Sequence, residues 1–252
     1  MTRRTFLAAT LAAQRGSVVL LDVDTGKVLQ ARREDALARP GSALKPLTLR
    51  ALIDTARLPA DDRLACGRRV SLAGRTLDCT HPVLVRPLNA EEALAYSCNA
   101  WFTRMALRLD AGEFYQNLQN AGLGSDGELT RAPSAETLQL QAVGEACVRV
   151  TPLELARAYR KLALLSRKGA PALRPLFEGL EGAVRYGTAQ AAATKGLTVA
   201  GKTGTGEGAW FAGYAPARDP RVVVAVYLEQ GRGGADAAPV AGEVLAAWFA
   251  QR

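Results

Sequence analysis

The chain has 252 residues, 48% of them hydrophobic and 6% aromatic, with a formal net charge of +8. That length suits one large domain or two intertwined lobes, and the balance is that of an ordinary soluble fold. Lys and Arg are spread along the chain rather than gathered in runs, and no motif interleaves them with aromatics. A nucleic-acid partner is therefore not expected.

Taken in chain order, Arg3-Arg4 precede a short apolar run, Phe6 to Ala13. This resembles a twin-arginine export signal over residues 1–15 and implies a periplasmic or other extracytoplasmic location. The run is too short to span a bilayer, and no other segment is a candidate. Ser17 to Asp22 reads as a buried strand. Asp24-Thr25-Gly26 marks a turn, and Lys27 to Gln30 a returning strand. The middle of the chain has mainly helical periodicity. Helices are expected over Ala43–Leu58, Ala90–Ala95, Ala100–Leu109, Ala111–Ala121, Pro152–Ser166 and Ala183–Ala193. Leu123 to Pro133 reads as a loop, with Glu136 exposed in a loop leading on to Gly144. The tail returns to strands at Leu197–Thr203, Ala209–Tyr214 and Val222–Glu229, then closes with a helix from Ala235 to Gln251.

Strands at both ends and helices between them predict an α+β, α/β/α-like fold. Its five-stranded antiparallel sheet would draw on N- and C-terminal segments, with flanking helices and a mainly helical insert. Residues 16–252 are expected to be one domain, with a sheet lobe (16–41 and 196–252) and a helical lobe (42–195). Their junction is the natural place for a cleft.

Cys66 and Cys79 flank a small hairpin, and an oxidising compartment would allow them to pair. Their spacing does not fit a paired Cys-x-x-Cys zinc site, and His81 is the single histidine. No metal or other cofactor is expected, and His81 is assigned to the surface.

Three short motifs carry the chemistry. Ser42 and Lys45 stand three residues apart at a helix start, one turn (roughly 4.5 Å of rise) from each other on one face. A neutral lysine there can take the serine proton, and Pro46 is tolerated in a first turn. Ser97-Cys98-Asn99 lies between two helices, and Lys202-Thr203-Gly204-Thr205 ends a strand. Each alone has a plain structural explanation as a cap or a turn. In this order, and in these three contexts, they form one signal.

On these motifs the chain resembles the transpeptidase domain of penicillin-binding proteins. Further similarity lies in Gly144-Glu145-Ala146 with Val148 to Ala156, in Trp210 to Pro216, and in Gly233-Gly234 to Ala238-Pro239. It extends from about Gly16 to Ala250. The resemblance implies a serine D,D-transpeptidase or D,D-carboxypeptidase that acts on D-Ala-D-Ala of peptidoglycan stem peptides and is inhibited by β-lactams. Further proteins of the cell envelope would be partners. Ser42 would be the nucleophile, Lys45 its base and Ser97 a proton relay. Asn99 would hold the substrate amide, and Lys202, Thr203 and Thr205 the terminal carboxylate. The backbone N–H groups of Ser42 and Thr205 would form an oxyanion hole, and Gly204 would leave room for substrate along the strand edge. Two alternatives share the acylation step: a class D-like β-lactamase, and a β-lactam or muropeptide sensor without turnover. Class D enzymes typically carry Ser-x-Val as second motif, whereas this chain has Ser97-Cys98-Asn99. Glu136 lacks the local pattern of the glutamate that activates water in class A enzymes.

Overall fold

The computed structural model describes residues 16–59, 62–84 and 86–251. The export-signal reading of residues 1–15 lies outside the described residues. Among the described residues no helix is long and apolar enough to cross a membrane.

The sheet is assembled from the two ends of the chain. Strands β1 (Ser17–Asp22), β2 (Val28–Arg32), β5 (Ala200–Gly206), β6 (Gly208–Ala215) and β7 (Val222–Leu228) lie in the order β2-β1-β7-β6-β5, antiparallel throughout. A strand alternates its side chains between two faces, and here both faces are buried. Val19, Leu21, Trp210, Tyr214 and Val223 belong to one core. Val18, Leu20, Phe211, Val222 and Val224 belong to the other. The first is covered by α6 (Pro152–Lys168) and the second by α8 (Ala238–Phe249), which gives the expected α/β/α layering. Full burial on both sides explains why β6 and β7 read as continuous apolar runs.

Between β2 and β5 come α1 (Lys45–Asp54), a hairpin of β3 (Arg69–Leu72) and β4 (Arg75–Asp78), α2 (Ala90–Ala95), α3 (Asn99–Ala106), α4 (Ala111–Ala121), α5 (Ala135–Ala142), α6 and α7 (Arg174–Arg185). Local capping sets several starts. Asn89 with Glu92, and Thr151 with Glu154, form capping boxes, and Pro152 occupies the first turn of α6.

Several boundaries differ from the sequence reading. The helix expected over Ala43–Leu58 is a 3-10 turn, Gly41–Leu44, followed by α1. The helix expected over Ala183–Ala193 lies upstream, as α7. Pro175 enters its first turn, and it ends at Tyr186, where Thr188 N–H turns instead to the Ala95 carbonyl at 3.1 Å. Strand β5 begins at Ala200 rather than Leu197, which makes only an isolated bridge to Thr194. The loop assigned around Glu136 is helical. Ser134 caps α5 by accepting from Thr137 N–H at 3.2 Å, and Glu136 sits exposed in its first turn.

Candidate active site

The 3-10 turn Gly41–Leu44 brings Ser42 against the edge strand β5. Gly41 has φ +51° and its N–H donates to the Gly144 carbonyl at 3.1 Å. A Cβ on Gly41 would meet the Thr205 carbonyl oxygen at 2.6 Å, and one on Gly204 would meet the Pro40 carbonyl oxygen at 2.1 Å. The packing of the serine turn on β5 thus by itself requires glycine at position 204. Tyr159 of α6 fastens the same turn from below, its hydroxyl donating to the Ala43 carbonyl at 2.8 Å.

Lys45 opens α1 and points inward, fully buried. Its Nζ donates to Asn99 Oδ1 at 2.6 Å, to the Ser97 carbonyl at 2.9 Å and to Ser97 Oγ at 3.2 Å. It also lies 5.3 Å from the centroid of the Phe102 ring. Burial pulls its pKa from 10.5 down to about 8, against the opposing pull of Cys98, Cys79 and Glu145. Ser97 occupies the left-handed region at φ +56°, unusual for a residue with a side chain. That turn is held by Ser97 N–H to Leu94 O at 3.1 Å and Cys98 N–H to Ala93 O at 2.9 Å. Asn99 is fixed from its other end, its Nδ2 donating to the Asp78 carbonyl at 2.9 Å.

Lys202 is the second fully buried lysine. Its Nζ donates to the Thr203 carbonyl at 3.0 Å and to Thr188 Oγ1 at 3.4 Å. Burial, followed by the nearby charge of Lys45, pushes its pKa well down. Thr203 and Thr188 share a hydroxyl–hydroxyl bond of 2.9 Å, and Thr205 Oγ1 accepts from Gly233 N–H at 3.0 Å. Ser42, Ser97, Asn99, Thr203 and Thr205 line one cleft of about 580 Å³, with Lys45 and Lys202 beneath it. All three motifs therefore converge. In chemical terms, the cleft offers a half-buried hydroxyl, a lysine able to lose its proton near neutral pH, and a second buried lysine that would regain its charge beside a bound anion.

The sequence reading missed Thr188, Glu145 and Arg232, which also line the cleft. Thr188 fell within the helix expected over Ala183–Ala193. The Gly187-Thr188 pair at a helix end was the available signal. Glu136 stays outside the cleft lining; its carboxylate accepts from Ala73 N–H at 3.1 Å.

One assignment outside the motifs is corrected. His81 is buried, 4% exposed, rather than at the surface. Cys66 and Cys79 are free thiols, and Cys79 Sγ stands 3.9 Å from Cys98 Sγ.

Comparison with known proteins gives the family. A model of the penicillin binding protein transpeptidase domain matches residues 16–246. The chain is 28% identical over 296 residues to the peptidoglycan D,D-transpeptidase PbpA of Mycolicibacterium smegmatis, covering 94% of this chain and 60% of that protein. It is 25% identical over 283 residues to the PenA D,D-transpeptidase of Neisseria gonorrhoeae, described as probable, covering 86% and 48%. The chain thus spans about half to three-fifths of these two relatives. The transpeptidase domain of Burkholderia pseudomallei penicillin-binding protein 3 superimposes with a TM-score of 0.84 at 22% identity, covering 98% of this chain and 92% of that one. With the family model spanning nearly the whole chain and the fold shared, this protein belongs to the penicillin-binding protein transpeptidase domain family.

Proposed function

We propose that this chain is a serine D,D-acyltransferase that acts on D-Ala-D-Ala stem peptides of peptidoglycan and is acylated by β-lactams at Ser42. The observation that carries the reading is Lys45: fully buried, lowered to about pKa 8, and bonded to Ser97 of the second motif. Neutral Lys45 takes the Ser42 proton as Ser42 Oγ adds to the scissile carbonyl. The oxyanion is held by the backbone N–H groups of Ser42 and Thr205, each worth roughly 3 kcal/mol. Collapse breaks the C–N bond, and the proton passes through Ser97 to the departing amine of D-alanine. An acceptor amine, or water in the carboxypeptidase case, then takes the acyl group and restores the serine. Asn99 holds the substrate amide. The terminal carboxylate sits over Lys202, Thr203 and Thr205 and returns Lys202 to its charged form. On this reading the protein works outside the cytoplasm, where peptidoglycan lies, with other cell-envelope proteins as partners.

Intact mass spectrometry after benzylpenicillin treatment, followed over time, tests the reading. One penicilloyl group per chain is expected, absent in Ser42→Ala and persisting for hours. No adduct, or equal labelling of Ser42→Ala, refutes it. Loss of the adduct within seconds moves the assignment to a β-lactamase. Release of D-alanine from a pentapeptide separates turnover from binding alone.

A further inference from the structure

Beyond the acyl-transfer site, the fold gathers three thiols and an imidazole from residues 66 to 98. Cys66 precedes the β3–β4 hairpin, Cys79 and His81 follow it, and Cys98 is the central residue of the Ser97-Cys98-Asn99 motif. One donor atom from each lies within 4.8 Å of all the others. Cys79, His81 and Cys98 are buried, and Cys66 is half-buried. We propose that Cys66, Cys79, His81 and Cys98 form a structural zinc site that clamps the β3–β4 hairpin to the motif carrying Ser97 and Asn99.

The geometry fits the ion. Tetrahedral zinc with Zn–S bonds of about 2.3 Å sets its sulfurs about 3.8 Å apart. Cys79 Sγ and Cys98 Sγ stand 3.9 Å apart, close to that edge and far beyond a disulfide bond of about 2.05 Å. A disulfide would use two of the three sulfurs and leave the third and the imidazole without a purpose.

The imidazole is prepared for ligation. Its Nδ1 lies 2.8 Å from the Pro82 carbonyl, so an Nδ1–H donated there leaves the lone pair on Nε2. Nε2 is buried and has no hydrogen-bond partner, which is costly for a ring nitrogen unless something binds it. The sulfurs are supported in the same way. Arg68 N–H donates to Cys66 Sγ at 3.3 Å, and Ala100 N–H to Cys79 Sγ at 3.4 Å. Such bonds favour the thiolate.

Zinc binding releases the three thiol protons to solvent and involves no change of oxidation state. Three thiolates and Zn²⁺ leave one net negative charge. The Arg68 guanidinium, which donates to the His81 and Pro82 carbonyls, lies beside it. The ion ties the hairpin to the catalytic motif at Cys98, where Asn99 Nδ2 already bonds the Asp78 carbonyl.

The test uses the full chain, grown with zinc and purified with a phosphine reductant and no chelator. One zinc per chain is expected by elemental mass spectrometry, falling to background in Cys66→Ser and His81→Gln. Thiol titration supplies a second readout, because Cys147 lies outside the cluster. The chelator-stripped protein should show four reactive thiols, and the zinc-loaded protein one. Cobalt added to stripped wild-type protein should give a thiolate-to-cobalt charge-transfer band that saturates at one equivalent, so the assignment does not depend on variants that fold. No bound zinc, four thiols reactive in its presence, or no charge-transfer band overturns the site. Iron or copper in place of zinc overturns the metal assignment.

Discussion

The Cβ that Gly204 lacks would stand 2.1 Å from the carbonyl oxygen of Pro40, so the serine turn and the β5 edge meet without space for a methyl group. The Ala43 side chain and N–H also crowd that point, each at 3.1 Å. Gly204→Ala must therefore push the Ser42 turn away from the strand. Overpacking of this kind costs about 1–3 kcal/mol. A lowered denaturation midpoint is expected, together with a larger fractional loss of penicillin acylation, because the displaced element carries the nucleophile. Urea unfolding and the second-order acylation rate check both effects.

Lys45 should set the pH dependence. The neutral fraction of a lysine near pKa 8 grows as pH rises, so the acylation rate should climb between pH 7 and pH 9 and level off above. Stability should follow the same direction. The folded lysine holds its proton less tightly than the unfolded one at 10.5, so between about pH 8 and 10.5 the unfolded state binds more protons. Stability gains on the order of 3 kcal/mol across that window. The lowered pKa of Lys202 adds a term of the same sign. Lys45→Met should slow acylation by about 10²–10⁴-fold and flatten part of the stability slope. A stability slope unchanged by Lys45→Met would contradict a titrating buried lysine.

Ser97 offers a backbone test beside a chemical one. At φ +56° a side chain is disfavoured by about 1–2 kcal/mol relative to glycine. Ser97→Gly and Ser97→Ala should both lose acylation, since each lacks the Oγ that meets Lys45 Nζ. Ser97→Gly should nevertheless be the more stable variant by thermal denaturation.

Thr188 accepts from Lys202 and bonds the Thr203 hydroxyl. Thr188→Ala should weaken acylation and cost about 1 kcal/mol through the lost hydrogen bonds, and Thr188→Ser should restore both. Acylation kinetics of the pair separate the hydroxyl from mere packing.

Glu136→Gln should leave the lifetime of the penicilloyl adduct unchanged, because Glu136 bonds Ala73 N–H rather than lining the cleft. A lengthened lifetime, read by mass spectrometry, would give Glu136 a part in water activation.

Local pattern made the strands, most of the middle helices and the three motifs legible: apolar runs bounded by turn residues, helical periodicity with its caps, and chemistry-bearing residues a few positions apart. Ser42, Lys45, Ser97, Asn99 and the Lys202 strand were legible in this way. What depends on distant contacts came from the folded arrangement alone. It moved the helix at Ala183 upstream because Thr188 bonds Ala95, and it added a packing constraint on Gly204 from Pro40. It buried His81 and drew Cys98 to Cys66 and Cys79, although the linear spacing of these residues matches no compact metal motif. Ligand geometry is set by folded distances, and the hairpin and the helix between α2 and α4 had to pack before those distances existed.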